Sequence, residues 1–147
     1  GSVLMMEIGG SMGPLYGKFF RSMAKECLDS DNVDAATFSR MLRGGYDAIQ
    51  AIGGAKPGDK TMVDTLDPAI TAFDDALENG KGFSASLADM RTAAELGRDS
   101  TIEMIAKLGR AARLGERSKG VLDAGATSCC LILESMALSI NRILEKN

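Results

Sequence analysis

Lys107, Arg110, Arg113, Arg117 and Lys119 stand within thirteen residues, opposed only by Glu116. Guanidinium forks match phosphate oxygens, so this run could neutralise a di- or triphosphate; cations also gather at exposed helix C-termini, and that reading stays open. Three glycine-rich segments frame the same chemistry: Gly9-Gly10-Ser11-Met12-Gly13-Pro14-Leu15-Tyr16-Gly17, Gly53 to Met62, and Gly109 to Ser128. Glycine lets backbone N–H groups approach a ligand closely, and each segment runs into a helix whose first turn has unpaired donors. Together they suit an anion; singly, they would serve as helix C-caps and turns.

Within the second segment, Pro57-Gly58-Asp59-Lys60-Thr61-Met62 opens a helix, so its N–H groups and the Thr61 hydroxyl could face a phosphate. Asp59 is either a plain N-cap or a carboxylate at the positive end of that helix. The GxxxxGK[ST] spacing of a P-loop is absent. Asp123-Ala124-Gly125 starts the last helix, with Asp123 as its N-cap or as an acceptor for a ligand hydroxyl or amine.

A chain of 147 residues with 45% apolar residues, three prolines and no tryptophan fits one all-α domain. At this size roughly 68–70% of the unfolded surface is buried on folding, so neither disulfides nor a structural metal are required. The sequence has no histidine, which excludes phosphohistidine and imidazole chemistry on this chain. Cys27, Cys129 and Cys130 fall on apolar helical faces, the pattern of reduced core thiols in a cytoplasmic protein. A net charge of −3 argues against nonspecific nucleic-acid binding. No apolar run approaches the ~20 residues of a membrane span, and no signal peptide is read.

The elements that must position these groups are helices. Tyr16, Phe19, Phe20, Met23 and Cys27 recur at helical spacing, followed by Phe38, Met41, Leu42, Tyr46, Ile49 and Ile52 behind an Asp34 N-cap. A third helix carries Met62, Val63, Leu66, Ile70, Phe73 and Leu77, with a kink expected at Pro68. The fourth, capped by Ser84, is predicted from Ala85 to Lys107 with Leu87, Met90, Ala94, Ile102, Ile105 and Leu108 inward and a bend near Gly97 to Ser100. The last, Ala126 to Glu145, is predicted to bury Cys129, Leu133, Met136, Ile140 and Ile143. Val3 to Ile8 reads as the end of a further helix. Short connections favour antiparallel neighbours, which would bring all three glycine-rich segments to one end of a bundle. The links Ser30 to Val33 and Asn79 to Gly82 would share the other end, without convergent polar groups.

GGSMGPLYGKFF, KPGDKTMVDTLDPA and GRAARLGERSKG with DAGATS, in this order and spacing, resemble the nucleotide-binding L subunit of bacterial dihydroxyacetone kinase. LGERS is most similar to the form that works with the phosphotransferase system. The resemblance implies a single domain over residues 1–147, an antiparallel eight-helix barrel lacking its first helix or helices. It implies bound ADP or ATP with magnesium, rephosphorylation by a phosphodonor protein of the phosphotransferase system, and transfer to dihydroxyacetone held on a histidine of a partner K subunit. No nucleic acid and no membrane enter this scheme. By motif position the nucleotide contacts fall on Gly9, Gly10, Ser11, Met12, Gly53, Thr61, Met62, Arg110, Asp123, Ala124 and Gly125. Met62 and Leu15 would line the adenine pocket, and Arg110 would meet phosphate as the catalytic cation.

The sequence departs from the family pattern in several places. Met12 stands where the family usually has a phosphate-binding serine, and Ala112-Arg113, Val121 and Ala124 replace usual lid residues. The family's metal ligands are aspartates of a D-x-x-x-x-D-x-D motif upstream of the three blocks. This sequence does not contain it, and the spacing of Asp29, Asp31 and Asp34 does not replace it. The expectation is therefore no metal ligand in this chain and no tight metal–nucleotide complex from it alone. Incomplete closure of the barrel would expose a seam around Phe19, Met41 and Ile140 and favour self-association. Two alternatives stand beside a dihydroxyacetone kinase: a non-catalytic binding relative, and a kinase for a related ketose such as erythrulose.

Overall fold

The computed structural model describes residues 12–146. Among them are five α-helices and no strand: α1 Met12–Lys25, α2 Ala35–Gly53, α3 Val63–Glu78, α4 Phe83–Ser100 and α5 Ala124–Leu144. Two 3₁₀ segments, Thr101–Glu103 and Ala111–Ser118, lie between α4 and α5. The chain divides into two compact units, one ending at Gly54 and one beginning at Ala55.

The first unit is a helical hairpin. Tyr16, Phe19 and Met23 of α1 and Phe38, Leu42 and Ile49 of α2 are buried, while Met41 and Tyr46 are half-buried and Ile52 is exposed. Gly45 admits the Phe19 ring, since a Cβ there would stand 2.5 Å from it. Asp34 caps α2 as expected, accepting from Thr37 N–H at 2.7 Å. Gly54 closes the helix in the left-handed region, its N–H bonded to Gln50 O at 2.9 Å. Two expectations change here. Met12 to Gly17 belongs to the first turns of α1 rather than to a loop, because a proline so near a helix start loses only hydrogen bonds already missing there. Cys27 lies in the turn after α1, half-buried, and not on a core face.

The second unit packs α4 against α3 and α5. Val63, Leu66, Ile70 and Phe73 meet Leu87, Met90 and Ala94, and Ala126, Cys129, Cys130, Leu133 and Ala137 complete the core. Ion pairing of Arg91 with Glu134 at 3.1 Å ties α4 to α5. Burial pushes the Cys129 thiol well up and raises that of Cys130 against the pull of Arg98, as for buried thiols in an apolar core. In α5 the stripe is Ala126, Cys129, Cys130, Leu133 and Ala137; Met136 and Ile140 are half-buried and Ile143 is exposed. Small alanines on that stripe let the helices approach closely, which selects it over the bulkier one. By length and composition α5 could span a membrane, contrary to expectation, with a mean hydropathy of 1.3 over its most apolar window. One stripe of it packs in the core of the second unit and Glu134 pairs with Arg91, while only 22% of that window is buried.

α4 ends at Ser100, earlier than predicted, and begins at a Gly82 cap rather than Ser84. Ser100 Oγ and Thr101 Oγ1 donate to Gly97 O and Arg98 O at 2.7 and 2.6 Å, and Met104 turns extended. Ile102 is half-buried and Ile105 and Leu108 are exposed, because the backbone beyond Thr101 is claimed by tertiary partners instead of helix. The expected exposed seam is also revised. Phe19 is buried, Met41 and Ile140 are half-buried, and the outward apolar residues of α5 are Leu131, Leu138, Ile143 and Leu144.

Candidate functional site

Among the described residues, five of the seven buried polar or charged ones, Lys60, Asp64, Thr65, Thr101 and Ser118, gather where the 55–62 loop, the 104–123 segment and the start of α5 meet. Buried polar groups persist only where hydrogen bonds satisfy them, so their concentration marks a built junction. At its centre Lys60 is 2% exposed. Its Nζ donates to the carbonyls of Met104 at 3.1 Å, Ser118 at 2.5 Å and Val121 at 2.7 Å. An ammonium has three donors, and each carbonyl takes one. The Lys60 backbone sits at φ +60, a left-handed conformation costing a non-glycine residue about 1–2 kcal/mol, held by these tertiary bonds.

Asp64, 4% exposed in the first turn of α3, faces back into the loop. Its Oδ1 accepts from Gly58 N–H at 2.5 Å and its Oδ2 from Thr61 N–H at 2.7 Å. Asp59 N–H is bonded to Lys56 O at 3.1 Å. This corrects the expectation that the loop amides are free for phosphate: the chain's own carboxylate already satisfies them. Asp59 does not cap α3 either. Its carboxylate accepts from Lys56 N–H at 2.8 Å and pairs with Lys107 Nζ at 3.3 Å, and these contacts hold it below the ordinary aspartate value. Thr61 Oγ1 accepts from Val63 N–H at 3.2 Å and retains its own proton to donate.

The 104–123 segment is stitched from both sides. Lys107 N–H bonds Asp59 O at 3.1 Å, Ala106 N–H bonds Ser118 Oγ at 2.9 Å, and Gly120 N–H bonds Ile102 O at 2.8 Å. Gly115 turns the chain at φ 52 and ψ −129, a conformation for glycine, and its carbonyl accepts from Ser118 Oγ at 2.6 Å. Asp123 caps α5, accepting from Ala126 N–H at 2.8 Å, while its own N–H bonds Thr101 Oγ1 at 3.0 Å. Burial raises the Asp123 carboxyl above the ordinary aspartate value, the Ala126 and Gly125 amides pull it down, the nearby Asp64 charge raises it and Lys60 opposes that. Gly125 brings α5 against the loop, since a Cβ there would stand 3.3 Å from Met62 N.

Thr61, Met62, Asp123, Ala124 and Gly125 thus share one junction of the second unit, with Met62 buried at the α3 cap position. Arg110 heads the Ala111–Ser118 turn; its exposed guanidinium has no ion-pair partner among the described residues, while Lys107 and Lys119 are paired with Asp59 and Glu103. Met12 and Leu15, both half-buried on α1, and the exposed Gly53 belong to the first unit. Gly9, Gly10 and Ser11 lie outside the described residues, as does the Val3 to Ile8 segment. At the far end of the second unit an open groove of about 390 Å³ is lined by Asp75, Asn79, Lys81 and Asp89 together with alanines and Leu96, with Lys81 and Asp89 ion-paired.

The sequence matches the DAK2 domain over residues 1–138. The chain belongs to the DAK2 domain family. It is similar to the ADP-binding subunit DhaL of a PEP-dependent dihydroxyacetone kinase from Escherichia coli (strain K12), 36% identical over 139 residues, covering 95% of this chain and 66% of that protein. A second such DhaL subunit, of dihydroxyacetone kinase 2 from Listeria innocua, is 37% identical over 136 residues, covering 90% of this chain and 61% of its own length. An L-erythrulose kinase from Pectobacterium atrosepticum is 30% identical over 135 residues, covering 92% of this chain and 23% of that enzyme. The chain therefore spans less than two thirds or about two thirds of the DhaL subunits it matches.

Two residues central to the junction of this family member, Lys60 and Asp64, were not singled out by sequence reasoning. Their signal is a lysine and an aspartate embedded in an otherwise buried run, Lys60 to Leu66, where solvated charges do not belong. Among the described residues no three His, Cys, Asp or Glu side chains come together as a metal-binding set.

Proposed function

We propose that this chain binds ADP or ATP and works as the nucleotide-binding part of a dihydroxyacetone kinase. The observation that carries the reading is the junction itself, where an arginine-bearing segment is fastened beside Met62 and the Asp123-Ala124-Gly125 turn. It is supported by likeness to proteins named ADP-binding subunits over nearly the whole chain. In this reading Arg110 meets phosphate charge, Met62 lines the base pocket, and Thr61 donates its hydroxyl proton. Asp123, Ala124 and Gly125 meet the sugar or phosphates of the nucleotide. Bound ATP supplies the transferable phosphoryl group. The chain orients it and neutralises its charge, the principal protein contribution to phosphoryl transfer.

The acceptor would be dihydroxyacetone on a partner K subunit, and the donor that recharges the nucleotide a protein of the phosphotransferase system. Free, buried thiols at Cys129 and Cys130 suit the cytoplasm. Arg110→Ala should weaken ADP binding by at least about tenfold in calorimetry, the loss of a charge-assisted contact; unchanged affinity would remove Arg110 from the site. A second reading, a ketose kinase for erythrulose, is favoured by the likeness to L- and D-erythrulose kinases at 30% and 34% identity. Turnover assays with each ketose, supplied K subunit and phosphodonor separate the two. A third, a chain that binds without catalysing, draws on the lack of a metal-binding set among the described residues. Magnesium-dependent turnover by this chain in that assay would dismiss it.

A further inference from the structure

The 104–121 segment is not held down by apolar burial. Ile105, Leu108, Leu114 and Val121 are all exposed, and only Ala106 and Ser118 are buried within it. What holds it is polar, and one side chain makes the bonds that span it: Lys60 reaches Met104, Ser118 and Val121, which lie on both sides of the Arg110-headed turn. The remaining ties to the loop, Lys107 N–H to Asp59 O and the Lys107–Asp59 pair, lie on one flank only; the other flank is tied to the Thr101–Glu103 turn at the end of α4 by Gly120 N–H to Ile102 O and by the Lys119–Glu103 pair, and Ala106 N–H to Ser118 Oγ joins the two flanks to each other. We infer that Lys60 is the positioning residue of the arginine-bearing segment, fastening residues 104–121 to the 57–62 loop and thereby setting how Arg110 meets the phosphates of a nucleoside diphosphate.

The phosphate half of this inference rests on the nucleotide reading above; the fastening does not. Lys60→Met keeps the length and apolar stem of the side chain and deletes its donors, leaving the buried Ser118 carbonyl and the part-buried Met104 and Val121 carbonyls without them. Native-state hydrogen exchange reads the seat of the segment at the amides of Ala106, Lys107 and Gly120, against α4 core amides as internal reference. Calorimetry with ADP and with adenosine reads the site. The expected result is a folded protein in which those three amides lose protection by about tenfold or more relative to α4, and ADP affinity falls by about tenfold while adenosine affinity barely moves.

A uniform loss of protection, with 104–121 no worse than α4, would make Lys60 an ordinary core residue and overturn the inference. Local loss with unchanged ADP affinity would overturn its phosphate half. If the unsubstituted chain binds neither ADP nor adenosine, the nucleotide reading fails, and the exchange comparison alone decides the fastening. Should Lys60→Met not fold, Lys60→Gln, which retains two donors, is read at the same amides with an intermediate loss expected; undiminished protection there would also overturn it.

Discussion

Asp59 and Asp123 sit on either side of the junction and respond to acid in opposite senses. Asp59 is held below the ordinary value of 3.8 by the Lys56 amide and then by Lys107. Its contribution to stability is therefore complete above 3.8 and is lost as pH falls through its lower folded value. Asp123 is raised by burial, so its ionised form is the disfavoured one and acidification through its folded value relieves that cost. The expected outcome is that Asp59→Asn removes part of the fall in melting temperature as the pH is lowered below about 4. A melting profile as steep as that of the unsubstituted protein would show that Asp59 contributes nothing. Asp123 as the α5 cap was legible from a residue type preceding an apolar period; Asp64 as the acceptor of loop amides was not, because hydrogen bonds folding back onto a preceding loop carry no spacing signal.

At the scale of elements, α3 and α4 meet through a proline and a glycine. Pro68 has no N–H for the Asp64 carbonyl, and Gly97 places the α4 backbone against that same oxygen and against Thr65 Cα, where a Cβ would collide. Gly97→Ala would gain about 0.8–1 kcal/mol in helix propensity but overpack a backbone contact that cannot yield, at about 1–3 kcal/mol. The net should be destabilising in urea unfolding. Gly44→Ala, whose nearest neighbour is the flexible Glu26 side chain at 3.1 Å, should be neutral or stabilising. Equal effects at the two glycines would refute the account. The helical periods of α2, α3 and α4 were legible because one apolar stripe suffices to define a face. The end of α4 was not, since Lys60, Asp59 and Ser118 capture the backbone of residues 104–107 from far along the chain.

For the whole molecule, charge distribution matters more than net charge. The chain carries −3 overall, yet Arg110, Arg113 and Arg117 are exposed together on one segment. An anionic ligand drawn to this segment should bind more weakly as salt rises, because exposed charges are screened within about 8–10 Å at physiological ionic strength. ADP titrations at low and high salt should show falling affinity, with a shallower dependence in Arg110→Ala; a flat response would exclude the exposed arginines from recognition. The all-helical class and the family followed from composition, period and the three glycine-bearing blocks. The grouping of residues into two units did not, since it depends on packing density along the chain and not on any local motif.

By itself the sequence determined an all-helical member of the DAK2 domain family, because apolar period, capping residues and block spacing are local properties written directly in residue order. Only the tertiary structure decided that the loop amides of Gly58 and Thr61 are spent on Asp64 and that Lys60 fastens a segment more than forty residues away. Those bonds exist because buried polar groups must find partners wherever the fold brings them. Which partners those are is a property of the packed chain, not of the spacing along it.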